Sequence, residues 1–131
     1  MKTEPSTYSF ADLQREGKAV WDGITNNLAL KHLRQMRKGD LVMIYHTGDE
    51  KSIIGVAEVV RDPYPDPTAK NATQAVVDIR ALRPLGRMVP LAEVKKNPRY
   101  SSFDLVRNSR LSVMPVEKSV WNALIRSSTI N

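Results

Sequence analysis

The 131-residue sequence contains no cysteine. That excludes disulfides and thiolate metal sites, and it fits a reducing compartment. No apolar run approaches the roughly 20 residues that span a bilayer. The opening Met1-Lys2-Thr3-Glu4-Pro5 lacks the apolar stretch of a signal peptide. There is no cysteine nucleophile, no HExxH helix, no glycine-rich phosphate loop and no GxSxG elbow. Internal repeats, low-complexity tracts and linkers are also missing. These absences predict a cytoplasmic protein (nuclear in a eukaryote), a single domain over residues 1–131, without catalytic function, cofactor, metal or membrane contact.

What is present is ordinary in amount and uneven in placement. Apolar residues make up 41% and charged residues 26%, close to a typical globular chain. At this length roughly two-thirds of the unfolded surface can be buried. The net charge is +6, concentrated in two segments. Residues 31–38 hold Lys31, Arg34, Arg37 and Lys38 with no acid before Asp40. Residues 87–110 hold Arg87, Lys95, Lys96, Arg99, Arg107 and Arg110 against Glu93 and Asp104. Such clusters suit a polyanion, because phosphate contacts release counterions. A solvated basic surface explains them equally well.

Local patterns predict the elements. Ser9 caps a helix with Asp12 answering it, and Gly17 ends that helix. Asn26 or Asn27 caps a second helix carrying Leu30, Leu33 and Met36 at helical spacing, and Lys38-Gly39-Asp40 stops it. Leu41–Thr47 reads as a strand with both faces covered. Gly48–Lys51 is a hairpin turn, and Ser52–Arg61 is the partner strand, in which Gly55 marks a bulge or a close backbone approach. Pro63, Pro65 and Pro67 predict a stiff loop. Gln74–Leu82 is a further strand, Pro90 opens a short helix ended by Pro98, and Asp104–Arg107 is a helical turn. Leu111–Met114 alternates like a strand. Glu117–Arg126 is an amphipathic helix with Val120, Trp121, Leu124 and Ile125 as its buried stripe. Short strands mixed with peripheral helices indicate an α+β domain around a small barrel.

Six segments carry more specific information: Lys2-Thr3-Glu4-Pro5-Ser6, Trp21-Asp22-Gly23-Ile24, Tyr45-His46-Thr47, Gly55–Val60, Tyr64–Thr68 and Ser109–Val113. In this order and spacing the chain resembles the EVE domain family of the PUA-like superfamily over nearly its whole length. The resemblance implies a PUA-like β-barrel of about five or six mostly antiparallel strands with flanking short helices. It also implies kinship with YTH domains, which hold N6-methyladenosine in an aromatic pocket. The function implied is non-catalytic recognition of a modified cytosine or adenine in DNA or RNA. The segment Ile24–Leu30 departs from the family pattern, with Thr25, Asn27, Leu28 and Leu30 where arginines, a tyrosine and a glutamine are usual.

A base is read once it leaves its stack, so the pocket needs a flat wall, polar groups for the base edge and cations for phosphate. Trp21 is the candidate wall, with Tyr45 or Tyr64 as a second. Asn26, Ser6 and Ser112 are candidate base-edge contacts. Lys31, Arg34, Arg107 and Arg110 are candidate phosphate contacts. Each has a structural counterpart: Trp21 as core, Asn26 as helix cap, the loop at Tyr64 as rigid connector. Tyr45 and His46 point to opposite faces of one strand, so one pocket takes at most one of them. His46 is either a ligand contact or a buried, hydrogen-bonded ring. Trp121, on its amphipathic helix, reads as core. Two other functions stand beside the reader: a base- or RNA-processing hydrolase pairing His46 with Asp66 or Glu58, and a protein or small-metabolite module using an apolar patch at Leu28 and Leu30.

Overall fold

The computed structural model describes residues 1–68 and 74–129. Five strands form one sheet: β1 (Lys2–Thr3), β2 (Lys18–Trp21), β3 (Leu41–His46), β4 (Ser52–Pro65) and β5 (Ala75–Pro90). Their order is β1-β3-β4-β5-β2. β1 lies parallel to β3, and every other neighbouring pair is antiparallel. Flanking the sheet are α1 (Phe10–Glu16), α2 (Asn27–Arg34), α3 (Leu91–Lys96), α4 (Asp104–Arg107) and α5 (Lys118–Ser127), with a 3-10 turn at Pro98–Tyr100. This is the expected α+β class, with five mostly antiparallel strands. Among the described residues the edge strands β1 and β2 do not pair, so hydrogen bonding leaves the sheet open. Register shifts along β4 and β5, such as those at Ile53/Gly55 and Arg61/Tyr64, mark the bulges that bend such a sheet. No described helix is long and apolar enough to cross a membrane.

Helix boundaries follow the caps. The Asp12 amide donates to Ser9 Oγ at 3.0 Å and the Ser9 amide donates to Asp12 Oδ2 at 2.8 Å, closing a capping box at α1. Gly17 ends α1 at φ 79°, a conformation that glycine adopts freely. At α2 the cap is Asn26, whose Oδ1 accepts from the Ala29 amide at 3.0 Å.

Three sequence expectations need correction. β4 runs through Pro63-Tyr64-Pro65 instead of ending at Arg61, with Tyr64 opposite Val76 and Pro65 opposite Ala75. Ladder pairing to β3 ends at Glu58, so this stretch is bonded on one side only, and Pro63 falls in a bulge. Both situations tolerate a missing amide. β5 likewise continues past Leu82 to Pro90, because Pro84 sits opposite Gly55 at another register shift. Leu111–Met114 is not a strand. Leu111 and Val113 are buried while Ser112 and Met114 are half-buried, so the alternation reports burial, not a ladder.

The sheet carries a core on each face. Val42 and Ile44 of β3 join Phe10, Leu13, Trp21, Leu30 and Leu33 on one side. Met43 and Tyr45 join Ile53, Val94, Phe103 and Leu124 on the other. This two-sided burial explains the nearly continuous apolar run of β3. On α5, Val120, Ala123 and Leu124 are buried, while Trp121 and Ile125 are half-buried.

Candidate nucleic-acid interface

The extension of β4 has a direct consequence for Tyr64. Pairing with Val76 fixes its backbone, and its hydroxyl donates to Asp78 Oδ1 at 2.6 Å. Asp78 is itself buried on β5. That hydrogen bond, with burial adding to it, raises the Tyr64 phenol above its ordinary value of 10.0. The Arg61 guanidinium lies over the Tyr64 ring, 3.8 Å from its centroid, a cation–π stack that further restricts the ring.

Tyr64 lines a cavity of about 470 Å³ together with Arg34, Arg37, Asp62 and Gln74. Arg34 and Arg37 come from the C-terminal end of α2 and the turn after it. Arg37 donates from Nη1 to the carbonyls of Arg34 and Met36, at 2.8 and 2.7 Å, which closes that end of the helix. The Lys38 amide donates to Asp62 Oδ1 at 2.8 Å and ties the turn to β4. An aromatic ring, a primary amide and two guanidinium groups thus face one space, and its volume is typical of ligand clefts (about 300–1,000 Å³). Lys31 is exposed on α2, one turn before Arg34.

The structure therefore brings together Tyr64 and Arg34 of the expected set, but not Trp21. The Trp21 ring is 8% exposed and packs edge-on against Tyr8 with centroids 6.0 Å apart. It belongs to the Phe10 core and lines neither cavity described here. The indole wall expected at residue 21 is core in this structure. The register supplies the reason. Trp21 pairs with Val77, and Tyr64 pairs with Val76. Successive residues of β5 point to opposite faces, so the two rings cannot sandwich one base.

Of the two readings open for His46, the structure shows the buried, hydrogen-bonded ring. Its Nε2 accepts from the Phe10 amide at 3.0 Å and its Nδ1 contacts Glu50 Oε2 at 2.6 Å, in a residue 5% exposed. An acceptor at Nε2 places the proton on Nδ1, donated to Glu50. Both ring nitrogens are thus engaged within the protein, and Glu58 is bonded to Arg80 rather than to His46. Leu30 is buried, so the apolar patch expected from Leu28 and Leu30 reduces to Leu28.

The other expected residues are dispersed. Asn26 is exposed and spends its Oδ1 on capping. Ser6 is exposed and donates its hydroxyl to Glu4. Ser112 is half-buried and accepts the Lys2 amide on its carbonyl at 2.9 Å. Arg107 and Arg110 are exposed on α4 and the following turn, and they line neither cavity. Tyr45 is buried on the far face of the sheet, where it lines a second cavity. Sequence reading missed Arg37 and Gln74 as cavity residues and Arg61 as the cation stacked on Tyr64. Arg37 lay inside the acid-free run 31–38, which was the available signal. Among the described residues, no group of three or more His, Asp or Glu is placed to hold a metal.

The EVE domain profile matches residues 1–127. The chain belongs to the EVE domain family. Its EVE domain is 27% identical to human thymocyte nuclear protein 1, over 95% of this chain and 71% of that protein. A Rhodopseudomonas palustris protein solved by NMR shares 38% identity with a TM-score of 0.92, covering 98% of this EVE domain chain and 90% of its own. The human THYN1 protein, solved in complex with 5-methylcytosine containing DNA, shares 25% identity with a TM-score of 0.90, over 100% of this chain and 96% of its own. The YTH domain of a Zygosaccharomyces rouxii protein, solved with N6-methyladenosine RNA, shares 16% identity with a TM-score of 0.57, over 99% of this chain and 84% of its own. That last likeness relates the EVE fold to the YTH fold.

Proposed function

We propose that this EVE domain, acting as a single non-catalytic domain of the cytoplasm or nucleus, binds a modified nucleobase in DNA or RNA. The observation that carries the reading is the match, over the whole chain, to the human THYN1 protein solved with 5-methylcytosine containing DNA. The geometry supports a place for it. Tyr64 offers a flat surface, Gln74 an amide that both donates and accepts, and Arg34 and Arg37 positive charge in the same cavity. Stacking of a base on an aromatic ring is worth about 1–3 kcal/mol. The strand backbone then follows α2 past Lys31, whose exposed ammonium suits phosphate.

The test is fluorescence anisotropy with short oligonucleotides carrying 5-methylcytosine or N6-methyladenosine beside unmodified controls, in DNA and in RNA. One modified strand should bind tighter than its control, and Tyr64→Ala should weaken it by about tenfold or more. Equal binding of all modified and unmodified strands would sink the reading. So would modified-base preference that survives Tyr64→Ala, as far as the placement of the base is concerned.

A further inference from the structure

The larger cavity, about 680 Å³, is lined from both cores, with Met1, Val42 and Val113 from the Trp21 side and Met43, Tyr45 and Phe103 from the other, and it shares no lining residue with the Tyr64 cavity. Its walls are soft and aromatic. Met1, Met36, Met43 and Met114 line it, four of the five methionines in the chain; the fifth, Met88, lies outside it. Tyr45, Phe103 and Trp121 add three rings. Thioethers adapt to irregular flat guests and make favourable contacts with ring edges. Trp121 remains half-buried on a helix whose other apolar residues are largely covered, which leaves indole surface at this cavity.

The polar side chains around this apolar space are those of Lys2, Lys118, His32, Gln35 and Asp40. Lys118 is exposed at the start of α5. Lys2 is half-buried, donates from Nζ to the Ser109 carbonyl at 2.9 Å, and sits 5.8 Å from the Tyr45 ring centroid. An ammonium has three protons, so two of them stay available to a guest. Burial lowers the Lys2 amine from its ordinary value, and an anion beside it would raise it back. His32 also lines the cavity, and its buried Nδ1 lacks a hydrogen-bond partner among the described residues. The acid at the rim, Asp40, already accepts from the Arg37 amide at 2.9 Å. An apolar interior with two ammonium groups at its edge matches one kind of guest.

We propose that this cavity is a second binding site, separate from the base-reading one, for a small amphipathic anion: a flat apolar body bearing a carboxylate, the body among the methionines and Trp121 and the carboxylate toward Lys2 and Lys118. The site does not depend on nucleic-acid binding.

The methionines make the test internal. In protein labelled with 13C at the methionine methyls, titration with 2-naphthoate should shift Met1, Met36, Met43 and Met114 saturably and leave Met88 unmoved. The neutral analogue 2-naphthalenemethanol should bind about tenfold more weakly, as loss of a charge-assisted contact requires. Lys118→Glu, at an exposed helix start that tolerates an acid, should cut naphthoate affinity by about tenfold and leave the neutral analogue unchanged. Tyr64→Ala should leave both unchanged. Absence of saturable shifts, equal shifts at all five methyls, or equal affinity for the acid and the alcohol would each overturn the proposal.

Discussion

Adding one methyl group at residue 55 should expel Phe10 from its place in the core. Gly55 lies in β4, and a Cβ built on it falls within 2.6 Å of both Cε atoms of Phe10. Carbon atoms in contact normally sit about 3.5–4.0 Å apart, so the ring must retreat by roughly 1 Å. It has little room, because Phe10 is 2% exposed and its amide is held by His46 Nε2 at 3.0 Å. Overpacking of this kind costs about 1–3 kcal/mol. Alanine at this position also loses less chain entropy than glycine on folding, which returns about 0.5–1 kcal/mol. The net expectation for Gly55→Ala is a loss of about 1–2 kcal/mol. Urea denaturation measures it as a lower midpoint at unchanged slope. Phe10→Leu shortens the colliding side chain, so the double variant should be more stable than the sum of the single losses by about 1 kcal/mol. A Gly55→Ala protein as stable as its parent, or single effects that simply add, would refute the steric argument.

Other perturbations separate core from site. Trp21→Ala should cost about 3–5 kcal/mol of stability as a core truncation, read as a thermal midpoint; a stable variant that had lost oligonucleotide binding would return the indole to the site. The hydrogen bond to Asp78 raises the Tyr64 phenol above 10.0, so above that pH the folded state holds a proton that the unfolded state releases. Stability present below pH 10.0 is therefore lost as the pH rises through the folded value. Tyr64→Phe should flatten that decline, seen in urea midpoints compared at about pH 9 and about pH 11. Lys31→Gln should weaken modified and unmodified strands alike and make the slope of log affinity against log salt shallower by about 0.7–0.9.

Local chemistry was legible in advance where a few neighbouring residues settle it. Ser9 and Asp12 form a capping box from their own side chains, Asn26 caps α2, and Gly55 proved to be both a register shift and the place where Phe10 meets the backbone. The misreadings came from positions whose meaning depends on a partner strand. Pro63 and Pro65 looked like strand breakers, yet they sit where β4 has lost its β3 neighbour. Leu111–Met114 alternates because of burial, with no ladder beside it.

The site shows the same division. Tyr64 and Arg34 could be named as candidates from residue type and charge run, and the EVE resemblance put a modified base in view. Nothing local in the sequence says that Trp21 and Tyr64 face opposite sides of the sheet. That follows from pairing Trp21 with Val77 and Tyr64 with Val76. Nor does it say that His46 spends both nitrogens on Phe10 and Glu50, or that four dispersed methionines meet in one cavity.

The sequence by itself determined the family, the helix caps, the two-sided burial of β3 and the placing of positive charge, because each depends on residues close together along the chain or on composition. Tertiary structure alone decided which rings share a cavity, which polar atoms remain available and which prolines a strand can hold. Those outcomes depend on register, and a shift of a single residue in a β ladder turns every side chain to the other face.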